Sequence, residues 1–123
     1  MANPNIVNVA SIYGSTSYLI PSGTSATTWT ALTPSSNTVN KINNIIASNV
    51  TGSNAHITVS INSAAAGAGT SYRVVYQVVV PANASLIVCD KNTSFYLGEA
   101  QSIVVTSGTT NAIELTASFE AIT

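Results

Sequence analysis

Two segments of this chain alternate apolar and polar residues with period two, and that period constrains the fold more than any other feature. In "AHITVSIN" (55–62), Ile57, Val59 and Ile61 share one face, and His56, Thr58, Ser60 and Asn62 share the other. In "AIELTASFEAI" (112–122), Ile113, Leu115, Ala117 and Phe119 lie opposite Glu114, Thr116, Ser118 and Glu120. Successive side chains of a strand point to opposite faces, so these are strands with one face on a core and the other toward solvent. No window carries the i, i+3, i+4, i+7 stripe of an amphipathic helix. Isoleucine and valine together number 25 against 5 leucines, with 16 threonines added. That β-branched bias suits pleated sheet and is poor for helix. The expected class is all-β.

A chain of 123 residues is one domain's worth. From Thr38 onward, strand-like runs are separated by short turn signals: "KINNIIASNV", "AHITVSIN", "SYRVVYQVVV", "ASLIVCD", "FYLGEAQSIVVTS" and "AIELTASFEAI". Residues 38–123 therefore supply six or seven strands, enough for an antiparallel β-sandwich, jelly-roll-like or immunoglobulin-like, without help from residues 1–37. The N-terminal 37 residues hold scattered apolar side chains among Ser and Thr. They are expected either as short added strands, with "IVNVASIY" the better of two, or as an arm across a neighbour.

The run Ser71–Val80 breaks the half-buried pattern. Tyr72, Val74, Tyr76, Val78 and Val80 make one apolar face, yet the opposite set, Arg73, Val75, Gln77 and Val79, is half apolar too. A second apolar face in so small a chain needs a cover, either a neighbouring chain or the N-terminal segment. Arg73, Val75, Gln77 and Val79, with Trp29 from that segment, are the candidate interface residues.

Charge points the same way. Seven residues are charged, 6% of the chain, where a globular protein has roughly 25%. Ser, Thr and Asn, 46 residues in all, carry the polarity instead. A freely diffusing domain keeps mixed surface charge for solubility; a subunit packed against copies of itself needs less. Three basic residues exclude electrostatic nucleic-acid binding, which requires clustered Lys and Arg. No apolar run is long enough to span a bilayer. The start "MANPNIVNVASIYG" lacks the basic and apolar regions of a signal peptide. One cysteine leaves no internal disulfide. Synthesis in a cytoplasm is the expectation.

No catalytic, cofactor or metal site is expected. Metal centres gather several His, Cys or carboxylate ligands, and the chain has one His and one Cys. Cys89 sits among apolar neighbours in "LIVCD" and reads as a small buried hydrophobe. A Cys89–His56 nucleophile pair would lack an orienting third group and an oxyanion loop. Glu114 and Glu120 share a strand face six residues apart, ~20 Å at ~3.4 Å per residue. Glycosidase pairs stand roughly 5–9.5 Å apart. "GAGTS" lacks the lysine and helix of a phosphate loop. The triplets at Asn49, Asn83 and Asn92 match a glycosylation acceptor, as chance provides in a chain so rich in Asn, Ser and Thr.

The stretches "KINNIIASNVTGSNAHITVSI", "TSYRVVYQVVVPANASLIV", "FYLGEAQSIVV" and "IELTASFEAI", with the opening "NIVNVASIYG", resemble small virion structural proteins of tailed bacteriophages, particularly marine and cyanobacterial phages. The likeness covers nearly the whole chain. The turn "GEAQS" has glutamine where such proteins often have aspartate, so no family role is carried over to Glu99. The resemblance implies a non-enzymatic virion component, a capsid decoration or cement protein on the head. Its partners would be copies of itself and other virion proteins such as the major capsid protein. A neck, tail or fibre component is the alternative, or a carbohydrate-binding attachment module using Trp29 or Tyr13 as its aromatic platform, though each of these two reads first as a core or interface residue.

Overall fold

Residues 6–123 are described in a computed structural model. The two alternating segments form β4 (Ala55–Asn62) and β9 (Ile113–Ile122), beside the long strands β3 (Val39–Asn49) and β5 (Ser71–Val80). The remaining strands are β1 (Ile12–Leu19), as long as β4, and the shorter β2 (Thr27–Thr28), β6 (Ser85–Cys89), β7 (Phe95–Leu97) and β8 (Ser102–Ser107). All pairings are antiparallel. One sheet runs β1-β9-β3-β6, with β7 also on β3; the other runs β2-β8-β4-β5.

β6 and β7 follow one another along the same edge of β3. Between them, Asp90 caps the short turn Lys91–Thr93. Its carboxylate accepts from the backbone N–H groups of Asn92 and Thr93, and Thr93 Oγ1 accepts from Asp90 N–H. Counting the two as one interrupted strand leaves two four-stranded sheets, with β1 and β2 in different sheets. An immunoglobulin sandwich pairs its first two strands in one sheet. The order here is that of a jelly roll.

The core lies between the sheets. Ile42, Ile45, Ile113, Leu115 and Leu97 meet Ile57, Val59, Val80, Ile103 and Val105, all of them fully buried. Ile42 and Ile45 are three residues apart, and strict alternation would place them on opposite faces. A register shift against β9 between Ile42 and Asn44 turns both inward, with Asn43 as the extra residue. Asn43 Nδ2 donates to Glu120 Oε1 at 3.0 Å.

The N-terminal third differs from its sequence reading in two ways. The strand begins only at Ile12, taking in just the last two residues of "IVNVASIY", whose Ile6–Asn8 form a 3-10 turn. "IYGSTSYL" is a poor strand by composition, and its unbroken eight-residue register with β9 selects it. Nor is this third an accessory: Trp29 and Leu32 are buried in the central cluster, so the core draws on both sides of residue 37. The run "FYLGEAQSIVVTS" also divides. Gln101 N–H donates to Gly98 O and Gln101 Oε1 accepts from Gly98 N–H, closing a turn that sends β7 and β8 to different sheets.

Candidate functional site

The doubly apolar strand β5 is not a flat two-faced ribbon. Two register shifts interrupt its pairing with β4: Val78 to Val75 spans Ile57 to Val59, and Val75 to Arg73 spans Val59 to Ser60. Each inserts one extra residue in β5 and breaks the period-two rule. At the first, Gln77 takes φ 48°, and its N–H donates to Thr58 Oγ1 at 2.9 Å. As a result Val74 and Val75 both turn inward and pack against the core, while Tyr72, Arg73, Tyr76, Gln77 and Val79 face out. Val75 thus leaves the candidate set, and Tyr72 and Tyr76 join Arg73, Gln77 and Val79. The Arg73 guanidinium lies over the Tyr76 ring, 5.4 Å from its centroid.

Trp29 is corrected outright. It is 1% exposed in the centre of the core, and its indole Nε1 donates to Ser17 Oγ at 3.0 Å. A residue buried within the subunit cannot be an interface residue or a sugar platform. Tyr13, the other proposed platform, is exposed.

The chain itself covers much of the outer face of the β2-β8-β4-β5 sheet. Thr58, Ser60 and Asn62 alternate as the sequence indicates, yet all three are buried. Loop 63–70, the "SAAAGAGT" segment, folds back over this face. Asn62 Oδ1 accepts from Ala64 N–H and Gly69 N–H, at 3.0 and 2.8 Å, and Nδ2 donates to Gly69 O and Ser71 Oγ. Ser102 Oγ donates to Ala64 O at 2.7 Å and accepts from Gly67 N–H at 3.0 Å. At Gly67, φ +72°, an added Cβ would sit 3.0 Å from Thr28 Oγ1 and 3.2 Å from Val104 Cγ2. The small residues of this loop serve close approach to the chain's own sheet, not to a ligand.

The reactive side chains do not assemble. Cys89 is buried, and its thiol is pushed above its ordinary value by that burial; the Ile45 backbone hydrogen bond opposes the shift and Asp90 adds to it. A raised thiol is a poor nucleophile at neutral pH. His56 is exposed, its ring against Gly108 at the β8–β9 turn. Glu114 is exposed, Glu120 accepts from Asn43, and Glu99 Oε2 accepts from Asn37 N–H at 3.1 Å. Among the described residues no three His, Cys, Asp or Glu side chains converge to hold a metal. No helix among them is long and apolar enough to cross a membrane. Asn49 is buried with Nδ2 bonded to Ser53 O and Val80 O, so that triplet presents no free amide for a glycan.

What the surface does present is tyrosine. All five, Tyr13, Tyr18, Tyr72, Tyr76 and Tyr96, are exposed, by 48 to 79%. Ile12, Ile20, Val50, Val79 and Ile87 are exposed beyond half as well. Tyrosine is enriched at protein interfaces, while Lys, Glu and Asp are depleted there. The sequence carries no local signal for this: Tyr13, Tyr76 and Tyr96 adjoin Ile, Val, Phe or Leu, as core tyrosines would.

No protein-family model matches this chain, and none of the curated proteins does. Among the solved structures that resemble it are two. One comes from work on Bacillus endospore appendages, described as a novel family of disulfide-linked pili: 16% identity, 98% of this chain and 96% of that one covered, TM-score 0.49. The other is from a virus-like particle of the extra small virus of the giant freshwater prawn Macrobrachium rosenbergii: 15% identity, 97% and 86% covered, TM-score 0.42. At these identities the likeness is one of fold alone.

Proposed function

We propose that this protein is a non-enzymatic structural subunit that acts by assembly, as a decoration or cement protein of a tailed-phage particle. The observation that carries the reading is the surface: five exposed tyrosines on a chain with seven charges. Aromatic rings lose little conformational freedom on contact and bring large contact area. A surface short of charge gives up the electrostatic repulsion that keeps free domains apart. The sequence resemblance to phage virion proteins supplies the setting. The mechanism is mass action: a subunit that binds only the assembled shell stabilises it in proportion to occupancy. A sugar-binding role is disfavoured by the burial of Trp29.

The test is to prepare virions with and without the protein and heat them in parallel, following genome release with a DNA-binding dye. Particles lacking it are expected to assemble and to release DNA at a lower temperature. Identical release curves with lost adsorption to host cells would replace the capsid reading with a tail or fibre one.

A further inference from the structure

The sandwich has four sheet edges, and three of them are guarded. β2 is two residues long. The β6/β7 edge is broken by the turn at Asp90–Ser94. β5 carries two bulges, Arg73, and a left-handed Gln77. Short strands, bulges, charges and interruptions are the means by which native proteins prevent an open edge from pairing with another chain. β1 has none of them. Its eight residues keep one continuous register with β9, contain neither proline nor a charged residue, and pair with no described strand on their other side.

We propose that β1 is a self-association edge, through which two copies of this chain pair antiparallel and join their β1-β9-β3 sheets into one. The occupant is a second copy because of what the edge offers. Residues 1–40 contain no charged side chain, so an oppositely charged partner finds nothing to pair with and a copy meets no repulsion. Ile12, Tyr13, Tyr18 and Ile20, on or next to β1, are each exposed beyond half and supply apolar contact on both sides of the two-fold axis. An antiparallel pair of identical edges closes on itself as an isologous dimer. This rests on the assembly reading above and names the surface that performs it.

Thr16 lies near the middle of β1 and is exposed, so in such a dimer the two copies of it lie close across the axis. The chain is 12.6 kDa, and sedimentation at concentrations up to about 1 mM is expected to give twice that mass. Thr16→Lys is expected to give the monomer mass with an unchanged β-sheet circular dichroism spectrum, because like charges face each other across the pair. Thr16→Glu is expected to do the same, and an equimolar mixture of the two variants to recover the dimer. A monomeric parent protein overturns the proposal. So does an oligomer that survives both variants, or a mixture that fails to recover. A dimer that behaves as expected but never binds particles would sink the virion reading and leave the edge assignment standing.

Discussion

On the outer face of the β2-β8-β4-β5 sheet, Asn62 and Ser102 are buried beneath loop 63–70, whereas across the outer face of the other sheet Tyr18, Thr116 and Ile87 stand exposed. The residues of the second face form one row: Tyr18 opposes Thr116, Thr116 opposes Ile46, and Ile46 opposes Ile87. By polarity alone Asn62 and Ser102 would be given to solvent and Tyr18 and Ile87 to a core, the reverse of what is seen. Thr116, between Tyr18 and Ile87, is exposed as its polarity indicates. A polar residue on a strand's outer face is at home wherever its hydrogen bonds are met, in water or under a loop. Asn62 is met by the loop's own backbone. The difference teaches that period two reports which side of the sheet a residue occupies, not what lies over that side.

The largest effect should come from removing the residue that holds the cover in place. Asn62→Ala deletes two acceptor and two donor contacts at a buried position and is expected to cost about 2–3 kcal/mol, read as a lower urea midpoint. A cost near zero would mean the loop does not depend on Asn62, and the contrast between the two faces would collapse. A smaller effect tests closeness. At Gly69 an added Cβ would run into Ser63 Oγ and lie 3.0 Å from Ala64 Cβ and N, so Gly69→Ala is expected to cost about 1–2 kcal/mol. The smallest comes from the matching change on the bare sheet. A Cβ at Gly14 in β1 would meet nothing within 4 Å, and Gly14→Ala is expected to leave stability unchanged or raise it by about 0.5 kcal/mol. Thermal melts of the two alanine variants, run side by side, sharpen the comparison if they diverge and break it if they coincide.

Much of the sheet was legible in advance. β4 and β5 span 55–62 and 71–80, as their alternation and turn residues indicate, and β9 begins one residue later than read. What failed did so where pairing overrode local pattern. "IYGSTSYL" shares only Ile12 and Tyr13 with the expected "IVNVASIY"; its Gly and Ser are weak strand formers, and its register with β9 recruits it. The candidate interface on β5 failed at Val75 for a related reason: bulges are set by how a strand must coil against its partner, and nothing in "SYRVVYQVVV" marks Gln77 for a positive φ. Trp29 was misplaced because a lone aromatic among Ser and Thr gives no period to read. The exposed tyrosines and the unguarded edge of β1 became visible only once the strand order was known.

The sequence by itself determined that this protein is all-β and poor in charge, with strands at β4 and β9 whose inward residues can be named. Those properties follow from composition and from a two-residue period, both local. Only the tertiary structure decided the jelly-roll order, the burial of Asn62 and Ser102 under their own loop, the two bulges of β5, and which sheet edge is left open. Each of these depends on contacts between residues far apart in the chain, and a strand's pattern is the same whichever neighbour it finds.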